Sequence, residues 1–210
     1  MKIRALAMVV VLSLVAALCL SKAAFAQAGQ DATKNSQGTA GTGQQAAQAN
    51  PNPFSTFNKF AYTRIKGNLI SSAEKMPEEN YSFRPTDAVR TYGQIIGHVA
   101  DAQYTFCSTA LGDKNPGLKI EETKHTKAEL VAALKEAVAY CDKAYDGMTD
   151  ASGGQIIKFF NFDMPRLGVL NINNMHDMEH YGNLVTYMRM KNIVPPSSEQ
   201  QQAPAAPQKK

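Results

Sequence analysis

The sequence predicts an all-α protein, a four-helix up-and-down bundle with a long connection between helices 2 and 3. Three observations predict it. Four stretches of about 20 residues carry apolar residues every three or four positions, which is one face of a helix. Helix-capping and helix-breaking residues stand between those stretches. No convincing run alternates apolar and polar residues as a strand does.

The elements follow in order. Phe54, Phe57, Ala61, Ile65, Leu69, Ala73 and Met76 mark the inner face of the first helix, and Pro77 closes it. A loop holds Tyr81-Ser82-Phe83-Arg84-Pro85. The second helix runs from Thr91 to Leu111, with Ile95, Val99, Ala102 and Phe106 on one stripe. Gly112 to His125 is a polar connection. Thr126 is placed to cap the third helix, with Glu129 completing a capping box, and Leu130, Leu134, Ala137 and Cys141 continue its apolar face until Asp146-Gly147. Gln155 to Phe162 is ambiguous. Asp163 and Pro165 look like a helix start, and Leu167 to Met190 is the fourth helix, stopped by Asn192 and Pro195-Pro196. Burying four such stripes against one another makes a bundle.

The flanks read differently. A short basic start (Met1 to Arg4), an uncharged apolar run (Ala5 to Leu20) and Ala24-Phe25-Ala26 make residues 1–26 a secretory signal peptide, so the protein is expected to be exported, periplasmic or secreted. The run is short for a retained membrane anchor, and Leu18 stands where a lipoprotein signal ending at Cys19 wants a small residue. Residues 27–51, rich in Gln, Ala, Gly, Thr and Asn, read as a disordered linker; 52–194 is the folded domain; 195–210 reads as a disordered Pro/Gln-rich tail.

Removing Lys2, Arg4 and Lys22 with the leader leaves 19 basic and 18 acidic residues, a net charge of +1. A nearly neutral domain lacks the electrostatic footprint of nucleic-acid binding, and no further segment is long and apolar enough to span a membrane. Cys107 and Cys141 remain after processing. If successive helices alternate in direction, their levels differ by roughly 15 Å at the helical rise. A disulfide tolerates about 7 Å between Cα atoms, so two buried free thiols are expected.

The chemistry concentrates in histidines. His176 and His180 lie four apart on the fourth helix and project to the same side, one turn apart. His98 sits beside the buried stripe of the second helix, which runs parallel to the fourth in an alternating bundle. Three inward imidazoles seek partners, and one shared divalent ion satisfies all three. The bland alternative is three core histidines bonded to backbone or water. Glu179 is a candidate general base, against a solvated carboxylate. Asp101 is a candidate to orient His98. Asp177, Tyr181 and Asn183 lie near the site in sequence. His125 reads as solvated, and Glu122 to His125 matches one half of a di-iron motif with no second copy. His176 to His180 also spells the inverted zinc-peptidase motif, which would need a separate glutamate ligand.

The residues also resemble the DinB-like family of small metal-binding bundles. The likeness covers the folded part. It is carried by Tyr81 to Pro85, by Gly97-His98-Val99-Ala100-Asp101-Ala102, and by the run from His176 through Tyr181-Gly182-Asn183 to Arg189, trailing into Ile193-Val194-Pro195-Pro196-Ser197. It implies His98, His176 and His180 as ligands of a divalent metal, usually zinc or nickel. Three neutral nitrogen ligands leave coordination positions open, as in a catalytic site. The first expectation is a metal-dependent, hydrolase-like enzyme acting on a small-molecule substrate that the sequence does not name. The alternatives are a thiol-dependent S-transferase, available by resemblance although its thiols are cytosolic, and a non-catalytic metal-binding or envelope interaction module. A homodimer is left open.

Overall fold

The computed structural model describes residues 50–202, with side chains to residue 199. The signal-peptide reading, nearly all of the linker and residues 203–210 lie outside the described residues. Helix α1 spans Pro53–Lys75, α2 Tyr92–Leu111, a single turn α3 Ile120–Thr123, α4 Lys127–Asp146, and a short α5 Asp150–Gly153. Strands β1 Ile156–Phe159 and β2 Phe162–Pro165 form an antiparallel hairpin. Then come α6 Arg166–Met190 and α7 Pro196–Gln202. The four long helices are those the periodicity predicts. No described helix is long and apolar enough to cross a membrane.

Local chemistry sets the ends. Thr91 and Gln94 form a capping box on α2, and Thr126 and Glu129 form the expected one on α4. Glu129, accepting hydrogen bonds from the backbone and hydroxyl of Thr126, has its pKa lowered to about 2. Gly112 ends α2 at φ 80°, a left-handed conformation natural to glycine. The Asp150 carboxylate accepts the N–H groups of Phe54 and Ser55, at 3.2 and 2.7 Å, and so caps α1 from another element.

Three expectations need correction. First, Phe54 and Phe57 are exposed. The buried face of α1 runs through Ser55, Asn58, Tyr62, Ile65, Leu69 and Ala73, one position along from the two phenylalanines. Hydrophobic type misassigns that face because its first two inward positions are polar. Second, the ambiguous stretch contains a hairpin. Its strands are four residues each, too short to display alternation, and only Phe159 is buried, its ring 5.4 Å from that of Phe106. Third, the tail expected to be unstructured from residue 195 begins with a helix. Ser197 and Tyr181 exchange hydrogen bonds at 2.8 and 3.0 Å, and Arg189 donates to Ser198 at 2.9 Å, which docks α7.

The direction of the helices also differs from simple alternation. Tyr92 at the start of α2 donates to the Ser72 carbonyl near the end of α1, so these two are antiparallel. The segment after α2 then doubles back along it. Asn115 reaches Thr105, and the N–H groups of Ile120 and Glu121 meet Asp101. This crossover starts α4 beside the start of α2, where Leu130 packs 3.2 Å from the Cβ position of Gly93. Helices α2 and α4 are therefore parallel. Helix α6 runs against both: Tyr187 donates to the Arg90 carbonyl and Tyr145 to that of Leu170. The order is up-down-down-up.

This overturns the free-thiol expectation. Cys107 and Cys141 are the sixteenth and fifteenth residues of parallel helices, so they share a level. Their Cα atoms are 5.2 Å apart and they form a disulfide. The core lies between the four helices, around Leu69, Ile96, Val99, Leu134, Leu170 and Leu184.

Candidate metal centre

His98, His176 and His180 come together on the seam between α2 and α6. The parallel relation assumed for these helices is wrong, since they are antiparallel. The three histidines meet all the same because each lies toward the middle of its helix. The Nε2 atoms of His98 and His180 each lie 3.1 Å from Nε2 of His176. One nitrogen from each ring falls within 4.8 Å of both others.

Each ring is held from behind by a different environment. Nδ1 of His98 lies 3.0 Å from the Glu121 carboxylate. A carboxylate only accepts, so in the neutral tautomer this contact puts the His98 proton on Nδ1 and leaves a lone pair on Nε2, facing the other rings. Glu121 is in turn bound by Arg90 at 2.7 Å. His180 has the Asn183 amide 3.4 Å from its Nδ1. His176 packs its ring 5.4 Å from Phe106, and its Nδ1 is buried without a hydrogen-bond partner.

Burial, and then the neighbouring imidazoles, lower the pKa of His176 to about 3. Burial first, followed by His98, lowers that of His180 as well. Neutral rings with facing lone pairs make a donor set suited to a divalent ion. An ion held at about 2.0–2.1 Å places neighbouring donor nitrogens roughly 3.0–3.4 Å apart. The two 3.1 Å separations match that spacing. The cluster can therefore hold a metal ion.

The structure sorts the other candidates. Asp101 does not touch His98. Its carboxylate accepts the N–H groups of Ile120 and Glu121, at 2.8 and 3.0 Å, and fixes the turn that carries Glu121. Asp101 thus acts one step further out than expected. Glu121 itself is the residue sequence reasoning missed. It lies in the polar connection, and only the adjacent Glu122 to His125 attracted notice; Glu122 and His125 are both exposed. Gly97 is what allows the approach, since a Cβ there would stand 2.7 Å from Cα of Glu121.

Glu179 is exposed and lines a cleft between α1 and α6. Asp177 is fully buried. It accepts from Nε2 of Gln103 at 2.7 and 2.8 Å, and desolvation raises its pKa to about 8. Gln103 also accepts from Asn173, which reaches Tyr145 at 3.1 Å. This chain of amides and hydroxyls leads from Asp177, the residue after His176, to Tyr145. Tyr181 packs and holds α7.

A four-helix bundle with three imidazoles gathered between two of its helices is a scaffold that can hold a metal ion. The family model of the DinB superfamily matches residues 61–184, and the chain belongs to that superfamily. Comparison with curated protein sequences finds no match. Among solved structures the fold is similar to a DinB-like protein of Bacillus cereus, with TM-score 0.59, 18% identity, 66% of this chain covered and 93% of that one. It is also similar to a DinB-like protein of Bacillus subtilis, with TM-score 0.53, 17% identity and coverage of 65% and 92%. A third likeness is to a histidine-to-alanine mutant of a mycothiol-dependent maleylpyruvate isomerase, with TM-score 0.54, 12% identity and coverage of 62% and 60%.

Proposed function

We propose that this chain is an exported protein that binds one divalent metal ion, zinc or nickel, through His98, His176 and His180, and acts as a metal-dependent, hydrolase-like enzyme on a small substrate. The observation that carries this reading is the convergence of three Nε2 atoms, two of them 3.1 Å from the third, in a setting that keeps His176 and His180 neutral. A divalent ion held there supplies Lewis-acid activation near neutral pH and has coordination positions to spare.

The chain's own groups do the rest. Glu121 keeps the His98 proton on Nδ1 and so keeps its Nε2 a donor of electrons. Phe106, backed by Phe159, shields one side of the His176 ring from water. Arg90 neutralises Glu121 and places a cation beside the cluster, where an anionic substrate group is favoured. Glu179 makes no hydrogen bond to any of the three histidines among the described residues, so it is the weaker candidate for proton transfer.

Export is supported by the leader of residues 1–26 and by the Cys107–Cys141 disulfide, a bond that persists in oxidising compartments. The mass of the protein recovered from the cell envelope should correspond to a chain beginning at Gln27.

Elemental analysis of the purified chain should give about one equivalent of metal. Replacing all three histidines by alanine should abolish it; metal retained by that variant overturns the assignment. Turnover of generic esters or amides by the metal-loaded chain, without added thiol, is expected. The second reading, a thiol-dependent transferase, draws on the mycothiol-dependent neighbour, whose 12% identity carries the fold alone. It requires silence until a low-molecular-weight thiol is supplied. Metal binding with neither activity leaves a binding module.

A further inference from the structure

Arg90 stands just ahead of α2, and both of its ends are tied to the seam that holds the three histidines. Its carbonyl accepts from the Tyr187 hydroxyl at 2.9 Å. Tyr187 is seven residues, about two turns, beyond His180, and so lies on the same face of α6. At the far end of the side chain, Nε donates to Glu121 at 2.7 Å, and the second oxygen of that carboxylate lies 3.0 Å from Nδ1 of His98. One carboxylate therefore separates the guanidinium from a ring of the cluster. A guanidinium carries five N–H groups in a fixed fork. Among the described residues only the Nε group is engaged, and neither Nη group makes a hydrogen bond or ion pair. The side chain is 44% exposed, so a solute can reach it. A lysine would serve for one contact with Glu121. What arginine adds is a pair of parallel donors, and here that pair is unspent.

We propose that Arg90 is the specificity-determining residue of the site: its Nη pair receives a carboxylate of the substrate, while the bond to be cleaved lies at the histidine cluster. The substrate class is then small esters or amides that carry a carboxylate. This deepens the hydrolase-like reading and rests on it.

The surroundings favour a carboxylate over a phosphate. Phosphate sites at helix starts use unspent backbone N–H groups beside the cation. At the start of α2 these groups are spent. Tyr92 donates to the Phe83 carbonyl and Gly93 to that of Tyr81, both at 2.9 Å, and Gln94 donates to the Thr91 hydroxyl at 3.2 Å. Glu121, already on Nε, opposes a second negative charge on the ligand. One planar fork matches the two oxygens and the single charge of a carboxylate. Against His176 stand Phe106 and, behind it, Phe159, which offer no charge. Recognition of a charged group is therefore one-sided.

The test begins with binding, measured by calorimetry on the full chain, both chelator-treated and zinc-loaded. The probes are 3-phenylpropanoate and its neutral amide, 3-phenylpropanamide. The metal-free chain should prefer the carboxylate by about 10- to 100-fold. Arg90→Gln, which keeps an N–H for Glu121, should abolish the preference with an unchanged circular dichroism spectrum. Arg90→Lys, a charge without the fork, should restore only part of it. Lys119→Gln, which removes a nearby cation paired with Glu122, should leave it intact. The second readout is turnover by the zinc-loaded chain. The kcat/KM for 4-nitrophenyl hydrogen glutarate, which water splits to 4-nitrophenol and glutarate, should exceed that for 4-nitrophenyl butyrate, and the ratio should fall toward one in Arg90→Gln. A wild-type chain without the preference overturns the proposal. So does a preference that survives Arg90→Gln, or one seen only with zinc, since the ion would then hold the carboxylate. So does tighter binding of phenyl phosphate than of 3-phenylpropanoate. Elemental analysis keeps the two readings apart. Normal metal uptake without the preference sinks the Arg90 site alone. An Arg90-dependent preference in a chain that takes up no metal supports the carboxylate site and sinks the hydrolase-like reading.

Discussion

Helix α2 makes two seams of opposite character. Toward α4 it runs parallel, closes on Leu130 through Gly93, and is bonded covalently through Cys107 and Cys141. Toward α6 it runs antiparallel and presents His98, Gln103 and Phe106 to His176 and Asp177. The first seam is held by packing and a cross-link, and its stability needs no ligand. The second buries nitrogen and oxygen atoms, whose desolvation is offset only if each finds a partner. Three imidazole nitrogens pointed at one another find one most completely in an ion. Rigidity on one side of the helix thus supports a chemically demanding arrangement on the other. Gln103 touches both: its carbonyl lies 3.7 Å from Sγ of Cys141, and its side-chain amide holds Asp177.

Four measurements would break or sharpen this contrast. The largest effect is expected at the α6 seam. His176→Ala removes the ring common to both 3.1 Å contacts and should lower metal affinity by about 1,000-fold or more, read by competition with a chelator. Next is the α4 seam. Replacing both cysteines by serine should cost about 2–4 kcal/mol of folding stability, seen as a lowered denaturant midpoint, with metal stoichiometry unchanged. If metal affinity falls in parallel, the seams are coupled through Gln103 and the contrast is too sharp. A third, smaller effect belongs to the strap. Glu121→Ala should weaken metal binding about 10–100-fold, and Gly97→Ala should do the same by displacing Glu121. Glu121→Gln, which still accepts from Nδ1, should recover part of the loss.

The fourth measurement is the pH dependence of the metal-free protein, in which two groups act with opposite signs. His176 is depressed to about 3 in the fold, so its contribution is fully present above the ordinary histidine value and is lost as pH falls from 6.5 toward 3. Asp177 is raised to about 8, so its contribution is present at low pH and is lost as pH rises from 3.8 to 8. His176→Gln should flatten the acid side of the Tm profile, and Asp177→Asn the neutral-to-alkaline side, both read from Tm measured across pH.

Much of this was legible before any coordinates. The spacing of Ile95, Val99, Ala102 and Phe106 gives α2, and the pair Thr126 and Glu129 gives the start of α4, because caps and stripes are local properties. The histidines were legible because four residues make one turn on α6, and because His98 lies beside a stripe. What sequence could not supply was direction. Nothing in Gly112 to His125 says that the segment doubles back along α2, and from that single fact follow the disulfide, the place of Glu121 and the role of Asp101. The exposed phenylalanines of α1 misled for a different reason. Apolar character is evidence of burial only when a neighbour exists to bury against, and at that end of α1 the described residues supply a cleft.

The group that orients His98 rides on a strap between helices, fastened by Asp101 beneath its turn, by buried Ile120, by Arg90 on Glu121 and by Asn115 on Thr105. The exposed leg before it, from Gly112 to Lys119, contributes none of the three imidazoles. Lengthening or shortening that leg would shift the carboxylate behind His98 without altering any of the three imidazoles. The grip of such a cluster on an ion is therefore open to adjustment by changes that an inspection of the histidines would never reveal.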